Sequence, residues 1–270
     1  MPSSAHQKSF VLTVAESKRL IARAVKRHPA VAAALKKGIV AVAKGSTNSY
    51  VVEELTGEPI HKPHYCMGVT RPARSQGGET GDKLPDLVLR DGKRVEGLRA
   101  VQIATKMGPG DVFIKGANAV NHERGQAGIL IGHPTGGTIG SVIGTLISRR
   151  VTLLIPVGLE KSIPGDLREI SAELASAGAN GSGPALWPID GELLTEIEAV
   201  ALLSGPLARR SSAGAPCEGG ARARLIGAGG IGGAEGSIRL SVWGTADEGS
   251  RAEAAIESVL GEPPFLGAQP

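Results

Sequence analysis

The sequence predicts an α/β protein: a mainly parallel, Rossmann-like sheet with helices on both faces, followed by a smaller α+β unit of ferredoxin-like type. Three observations carry this expectation. Short apolar, β-branched runs recur at Gly38–Ala43, Asp111–Ile114 and Val151–Pro156, the pattern of strands buried on both faces. Loops of small residues, at Gly45–Ser49 and Gly132–Gly140, lie just before helix-forming stretches. A second series of strand and helix patterns follows Pro164, in the order strand, helix, strand, strand, helix.

Along the chain, Glu16–Lys37 carries Leu20, Ile21, Ala24, Val25, Val31 and Leu35 at helical spacing, interrupted near Pro29. Its basic residues, Lys18, Arg19, Arg23, Lys26, Arg27, Lys36 and Lys37, read as a solvated helix face. No groove-reading or aromatic motif accompanies them, so nucleic acid is not the expected partner. The α/β core occupies residues 1–164, centred on Gly38–Pro164. Within it, apolar runs flank Asp91-Gly92, a dipeptide favoured in type I′ turns, which predicts a hairpin over Asp86–Gly97. The polar stretch Arg71–Lys83 reads as a surface loop. Residues 165–270 are expected to form the smaller unit. Its helices lie at Asp166–Ala177, Glu192–Gly205 and Glu248–Leu260, its strands at Ala185–Asp190, Ala221–Gly227 and Ser237–Gly244, and its linker-like turn at Asn180–Gly183.

Composition narrows the function classes only moderately. The 270 residues are 41 % hydrophobic and 21 % charged, as in ordinary globular proteins, and aromatics make up 3 %, so Val, Ile, Leu and Ala must build the core. A formal charge of +4 does not speak for a polyanionic partner. Cys66 and Cys217 lie far apart and suggest neither a metal nor a redox pair, which fits a reducing cytoplasm. The N-terminus has no continuous apolar region and no apolar stretch reaches membrane-spanning length, so neither export nor membrane insertion is expected.

Two motifs invite over-reading. Gly227-Ala-Gly229-Gly-Ile-Gly232 matches a dinucleotide fingerprint by its letters, but the fingerprint requires glycines that open a helix, and these run into a strand pattern at Ser237. No cofactor is expected. His61, His64 and Cys66 lack a fourth ligand, and on an extended strand His61 would face away from the other two, so no metal is expected either.

The combination of Gly38–Leu55, Asp111–Gly128 and Thr152–Lys161 resembles the superfamily of ribose-5-phosphate isomerases, glucosamine-6-phosphate deaminases and CoA transferases. It is also similar to the related methylthioribose phosphate isomerases and the sugar-phosphate-sensing domains of bacterial transcription regulators. The resemblance implies that Gly45, Ser46, Thr47 and Asn48 form a phosphate loop, flanked by Lys44. It further implies that Lys115, Gly116 and Asn118 form a second ligand turn, with Lys161 after the following strand. Backbone amides at a helix start favour anions independently of that resemblance, which adds Gly136, Gly137 and Thr138. Asn118 falls where the isomerases carry a proton-transferring aspartate, and an amide takes up no proton at neutral pH. Acid–base candidates are therefore sought elsewhere: Glu160 at the mouth of the sheet, His133 in the second glycine loop and Glu235 in the Gly229–Gly236 loop. The expected ligand is a small phosphorylated or acyl anion, bound by a diverged isomerase- or transferase-like protein whose oligomeric state is open. The alternative is a non-catalytic sensor or scaffold on the same fold.

Overall fold

The computed structural model describes residues 6–68, 70, 74, 81–176, 183–206 and 219–265. The chain is a mixed α/β protein built on a six-stranded sheet. That sheet contains β2 (Ile39–Val42), β3 (Leu87–Arg90), β4 (Lys93–Arg94), β5 (Val112–Ile114), β8 (Thr152–Pro156) and β10 (Glu192–Leu194), in the order β10-β8-β5-β2-β3-β4. The first four strands of that order run parallel, and the β3–β4 hairpin closes one edge antiparallel. The three strands expected to be neighbours, β2, β5 and β8, lie side by side. At the hairpin, Asp91 and Gly92 take φ of 50° and 74°, the left-handed pair that a type I′ turn requires.

Period-2 alternation divides these strands between two cores. Val40, Val42, Val112, Ile114 and Leu154 enter one apolar cluster, while Ile39, Ala41, Phe113, Leu153 and Ile155 enter the other. The first cluster is filled by α1 (Val14–Arg27), α2 (Pro29–Lys36), α3 (Ser46–Thr56) and α7 (Glu196–Ser204), the second by α4 (Ala100–Ile103) and α5 (Gly137–Ser148). Thr13 starts α1 with a reciprocal capping box to Glu16, and Pro29 stands at the start of α2, where its missing N–H removes no helical bond. The interruption read at Pro29 is the α1–α2 junction.

A second sheet, of order β1-β12-β11, joins β1 (His6–Leu12) to β12 (Ile238–Gly244) and β11 (Arg222–Ala228), and α8 (Ala246–Glu257) packs with it. A third antiparallel sheet contains β6 (Ala119–Asn121), β7 (Gln126–Ile131) and β9 (Ala185–Ile189), with α6 (Leu167–Ser176) against β9. These pairings cross the expected division at 164/165. β9 pairs with β7, β10 with β8, and the N-terminal β1 with β12. One apolar cluster runs from Leu154 and Val112 to Leu240 and Ile256. The strand–helix order read for residues 185–257 is present, but β11 and β12 take β1, not β9, as their third strand.

Three further expectations change. Glu192–Leu194 is a strand, not the first turn of a helix. Thr195 and Glu198 form a capping box that starts α7 one residue later, and this leaves Leu194 to bury itself beside β8. His61, His64 and Cys66 lie around a 3₁₀ turn at Lys62–His64 and not on an extended strand, and the two imidazole rings sit 4.0 Å apart by centroid. The helix face read as solvated is not uniformly so, because Lys18 is buried and Arg19 lies among carboxylates. Most of Arg71–Lys83 and of the Asn180–Gly183 turn lies outside the described residues. Among the described residues no helix is long and apolar enough to cross a membrane.

Candidate functional site

The parallel strands β2, β5, β8 and β10 end together. The ladder continues one residue further, with Ala43 N donating to Ile114 O at 2.9 Å, Lys115 N to Leu154 O at 3.0 Å and Val157 N to Leu194 O at 3.1 Å. The loops Ala43–Gly45, Lys115–Asn118 and Val157–Lys161 therefore leave the sheet beside one another, at the end where open α/β sheets form crevices. Asn48 ties two of them together. Its Nδ2 donates to Ala43 O at 2.7 Å and, at 3.4 Å, to Ile114 O, which also accepts from Ala43 N. Its Oδ1 has no partner, and neither does the buried Thr47 Oγ1. A Cβ at Gly116 would stand 3.9 Å from Asn48 Oδ1 and 3.5 Å from Pro156 O, so this residue is closely approached from both neighbouring strand ends.

Helix α3 begins here without a side-chain cap. Gly45 N–H is donated to Tyr65 O at 3.0 Å, while Ser46, Thr47 and Asn48 present the open amides of the first turn. Tyr65 holds the adjoining segment in place, its hydroxyl donating to Val42 O and accepting from Leu87 N.

Lysines from three elements converge on this end. Lys115 Nζ donates to Gly116 O at 3.2 Å and Lys161 Nζ to Ala117 O at 3.0 Å, while Lys18 Nζ lies 5.4 Å from the centre of the Phe265 ring. Among the described residues none of the three has a carboxylate within ion-pair distance. Burial, and then the charge of Lys161, lower Lys115 to about 8, and the same two causes lower Lys18 to about 8 against a smaller opposing pull from Glu160.

Two carboxylates complete the cluster. Glu196, the first residue of α7, is fully buried; its Oε2 accepts from Leu159 N at 2.9 Å, and Ser17 lies close enough to favour its charged form. Burial and then the neighbouring Glu160 push Glu196 well above the usual carboxylate range. Glu160 follows Leu159 directly, and neither of its buried oxygens has a partner. Its carboxylate folds over Gly158, where any Cβ would collide with it. The arrangement offers cations, open amides and a buried carboxyl pushed toward its neutral form.

The remaining expected site residues lie elsewhere or are already occupied. Lys44 is neutralised by Asp82 and by Asp86 at 3.5 Å, so it is not a free counter-charge for an anion. Asn118 is exposed and ends the β6–β7 hairpin, its N–H donating to Gly128 O and its Oδ1 accepting from Leu130 N at 3.1 Å. Gly136 and Gly140 pack under Trp187, and Thr138 Oγ1 approaches Met67 Sδ at 3.6 Å; the α5 start thus borders the segment after Tyr65. Gly137 lies against His133 Cβ. His133 is exposed and accepts from Thr135 within its own loop. Glu235 is exposed and accepts from Gly232 N and Gly233 N; its own backbone N–H and then Gly233 N hold it below the usual carboxylate range inside the β11–β12 loop.

Lys18 and Glu196 were not anticipated, although both leave traces in the sequence. Lys18 stands four residues after Val14 and three before Ile21, on the apolar stripe of α1. Thr195-Glu-Ile-Glu198 is a capping-box signature that places Glu196 at a helix start. A separate cavity of about 520 Å³ lies between α7 and β11, lined in part by Ile197, Glu198, Arg222, Arg224 and Trp243. Its carboxylate, Glu198, is already held by His122 at 2.8 Å and by Thr195. No family model, no curated protein and no solved structure matches this chain.

Proposed function

We propose that this chain binds a small anionic metabolite, phosphorylated or acyl, in the crevice at the ends of β2, β5 and β8. The observation that carries the reading is the convergence of Lys18, Lys115 and Lys161, without carboxylate partners among the described residues, beside the uncapped start of α3. Uncompensated cations in a low-dielectric site are unfavourable until an anion enters, and helix-start amides add donors that need no side chain. Treating the sheet as Rossmann-like, and the chain as a diverged relative of the sugar-phosphate isomerase and CoA transferase superfamily, belongs to this proposal. The use of Asn118 in the β6–β7 hairpin favours a relative without ribose-5-phosphate isomerase activity.

The test is a thermal-shift and calorimetric titration with inorganic phosphate, then with sugar phosphates and CoA esters, since a ligand that binds only the folded state raises the midpoint. Lys115→Ala is expected to weaken binding about tenfold or more, a loss that corresponds to one charge-assisted hydrogen bond. Lys36→Ala, on an exposed position of α2, is expected to leave it unchanged. Affinity should fall as salt rises. Equal effects of the two substitutions, or no shift with any anion, would remove the reading.

A further inference from the structure

We propose that Lys115 is an amine nucleophile, and that the ligand it serves is an anionic aldehyde or ketone with which it forms an imine. This inference rests on the anion-binding reading of the same crevice. The geometry supplies what such a lysine needs. Lys115 is half-buried at the end of the central strand β5, so a ligand can reach it from solvent while its ammonium is poorly hydrated. Its one hydrogen bond is to Gly116 O, a neutral acceptor, and no carboxylate pairs with it among the described residues.

The charged group that acts on Lys115 is Lys161 on the 3₁₀ turn; Lys161 acts in turn on Lys18 of α1, which also feels Glu160, the partner of Glu196. The nearest charge that acts on it is the Lys161 ammonium, and a second cation beside a desolvated amine favours the neutral, nucleophilic form. Lys18 is the poorer choice, because its ammonium sits over the Phe265 ring and is opposed by Glu160. Lys161 is positioned by its hydrogen bond to Ala117 O.

The step balances without any further reactant. The Lys115 nitrogen lone pair forms a bond to the carbonyl carbon as the C=O π pair moves to oxygen. One proton passes from nitrogen to that oxygen, giving a neutral carbinolamine. A second proton, taken from water, lets the hydroxyl leave as water and produces a protonated imine. Nothing is oxidised or reduced. The ligand's anionic group is met by Lys161, Lys18 and the α3 amides, so one molecule satisfies both halves of the site.

Pyridoxal 5′-phosphate, an aldehyde that carries a phosphate, is the probe. The intact protein is mixed with it, reduced with borohydride, weighed and mapped by peptide mass. One adduct per chain is expected, on Lys115, with inorganic phosphate protecting against it and with a rate that climbs through about pH 8. Lys115→Arg keeps the charge, so it should retain the phosphate-induced thermal shift and lose the adduct. A wild-type adduct spread over exposed lysines, or located on Lys18 or Lys161, would overturn the nucleophile. If Lys115 is labelled by neutral butyraldehyde but phosphate gives no thermal shift, the nucleophile stands and the anion site falls.

Discussion

Lys18 and Arg19 are consecutive on α1, yet the two regions they enter balance charge in opposite ways. Arg19 meets Glu53 and Glu54 of α3 and Glu262 near the C-terminus, the last two at 3.1 and 2.8 Å, and lies 5.0 Å from the centre of the Tyr50 ring. Lys62 adds a second cation to Glu53 at 3.1 Å. Every charge in that network has an opposite within reach. Lys18 instead joins Lys115 and Lys161 without any such partner among the described residues, and burial and then the adjacent Glu160 raise the cost of ionising Glu196. Burial lowers the charge of Lys18, whereas the hydrogen bonds from Arg19 to Glu262 and Glu53 override the opposing effect of burial and hold its guanidinium protonated. A network that closes on itself serves the fold. A cluster left open is what the proposed anion would complete.

The largest expected effect breaks the closed network. Arg19→Ala would leave Glu53, Glu54 and Glu262 crowded together with only Arg23 and Lys62 nearby, and such a loss costs about 3 kcal/mol. Urea denaturation measures it, and a loss within about 0.5 kcal/mol would mean that the network is only surface decoration.

The pH profile comes next, and it sharpens the contrast because burial moves Lys18, Lys115 and Glu196 of the open cluster toward neutrality. Lys18 and Lys115 fall from 10.5 to about 8 in the folded chain, so between those values the unfolded chain binds more protons and stability rises with pH. Glu196 is raised above its ordinary 4.5, so from there up to its folded value the native chain binds more protons and stability declines as pH rises. Without an anion, stability should therefore pass through a minimum near pH 8, with limbs worth about 1 kcal/mol or more. Glu196→Gln should shrink the declining limb to the part that His122 contributes, whose pKa the hydrogen bond to Glu198 raises above 6.5. A flat profile in the wild type would show that the cluster carries no strain.

The smallest effect is a gain. Lys18→Met keeps an apolar stem on the buried stripe of α1 and removes one of three repelling cations, so stability at neutral pH should rise by about 1 kcal/mol while phosphate binding weakens. A loss of stability would place Lys18 with Arg19, as a residue that serves the fold.

Much of the architecture was legible before any coordinates. The β-branched runs at Gly38–Ala43, Asp111–Ile114 and Val151–Pro156 are adjacent strands, because alternation on a two-faced sheet needs only local pattern. Asp91-Gly92 is the turn, because few other dipeptides take two positive φ values. The strand pattern after Gly232 correctly argued against a helix-opening glycine motif, since β11 and β12 join through that loop. The crevice was half legible. Gly45–Asn48, Lys115, Glu160 and Lys161 gather at one end because they follow parallel strands, and parallel strands end together. Asn118, His133 and Glu235 satisfy local hydrogen bonds in their own loops, which no motif reveals.

The sequence by itself determined the class of fold, the central parallel strands, the β3–β4 turn and the placement of small-residue loops after strands. Those depend on periodicity, capping and backbone freedom, all set within a few residues. Only the tertiary structure decided that β1 completes a sheet with β11 and β12, that Glu196 lies beside Glu160, and that Lys18 is buried while Arg19 is paired. These outcomes depend on contacts between residues far apart in the chain, and on the charge that each buried group finds, or fails to find, within a few ångströms.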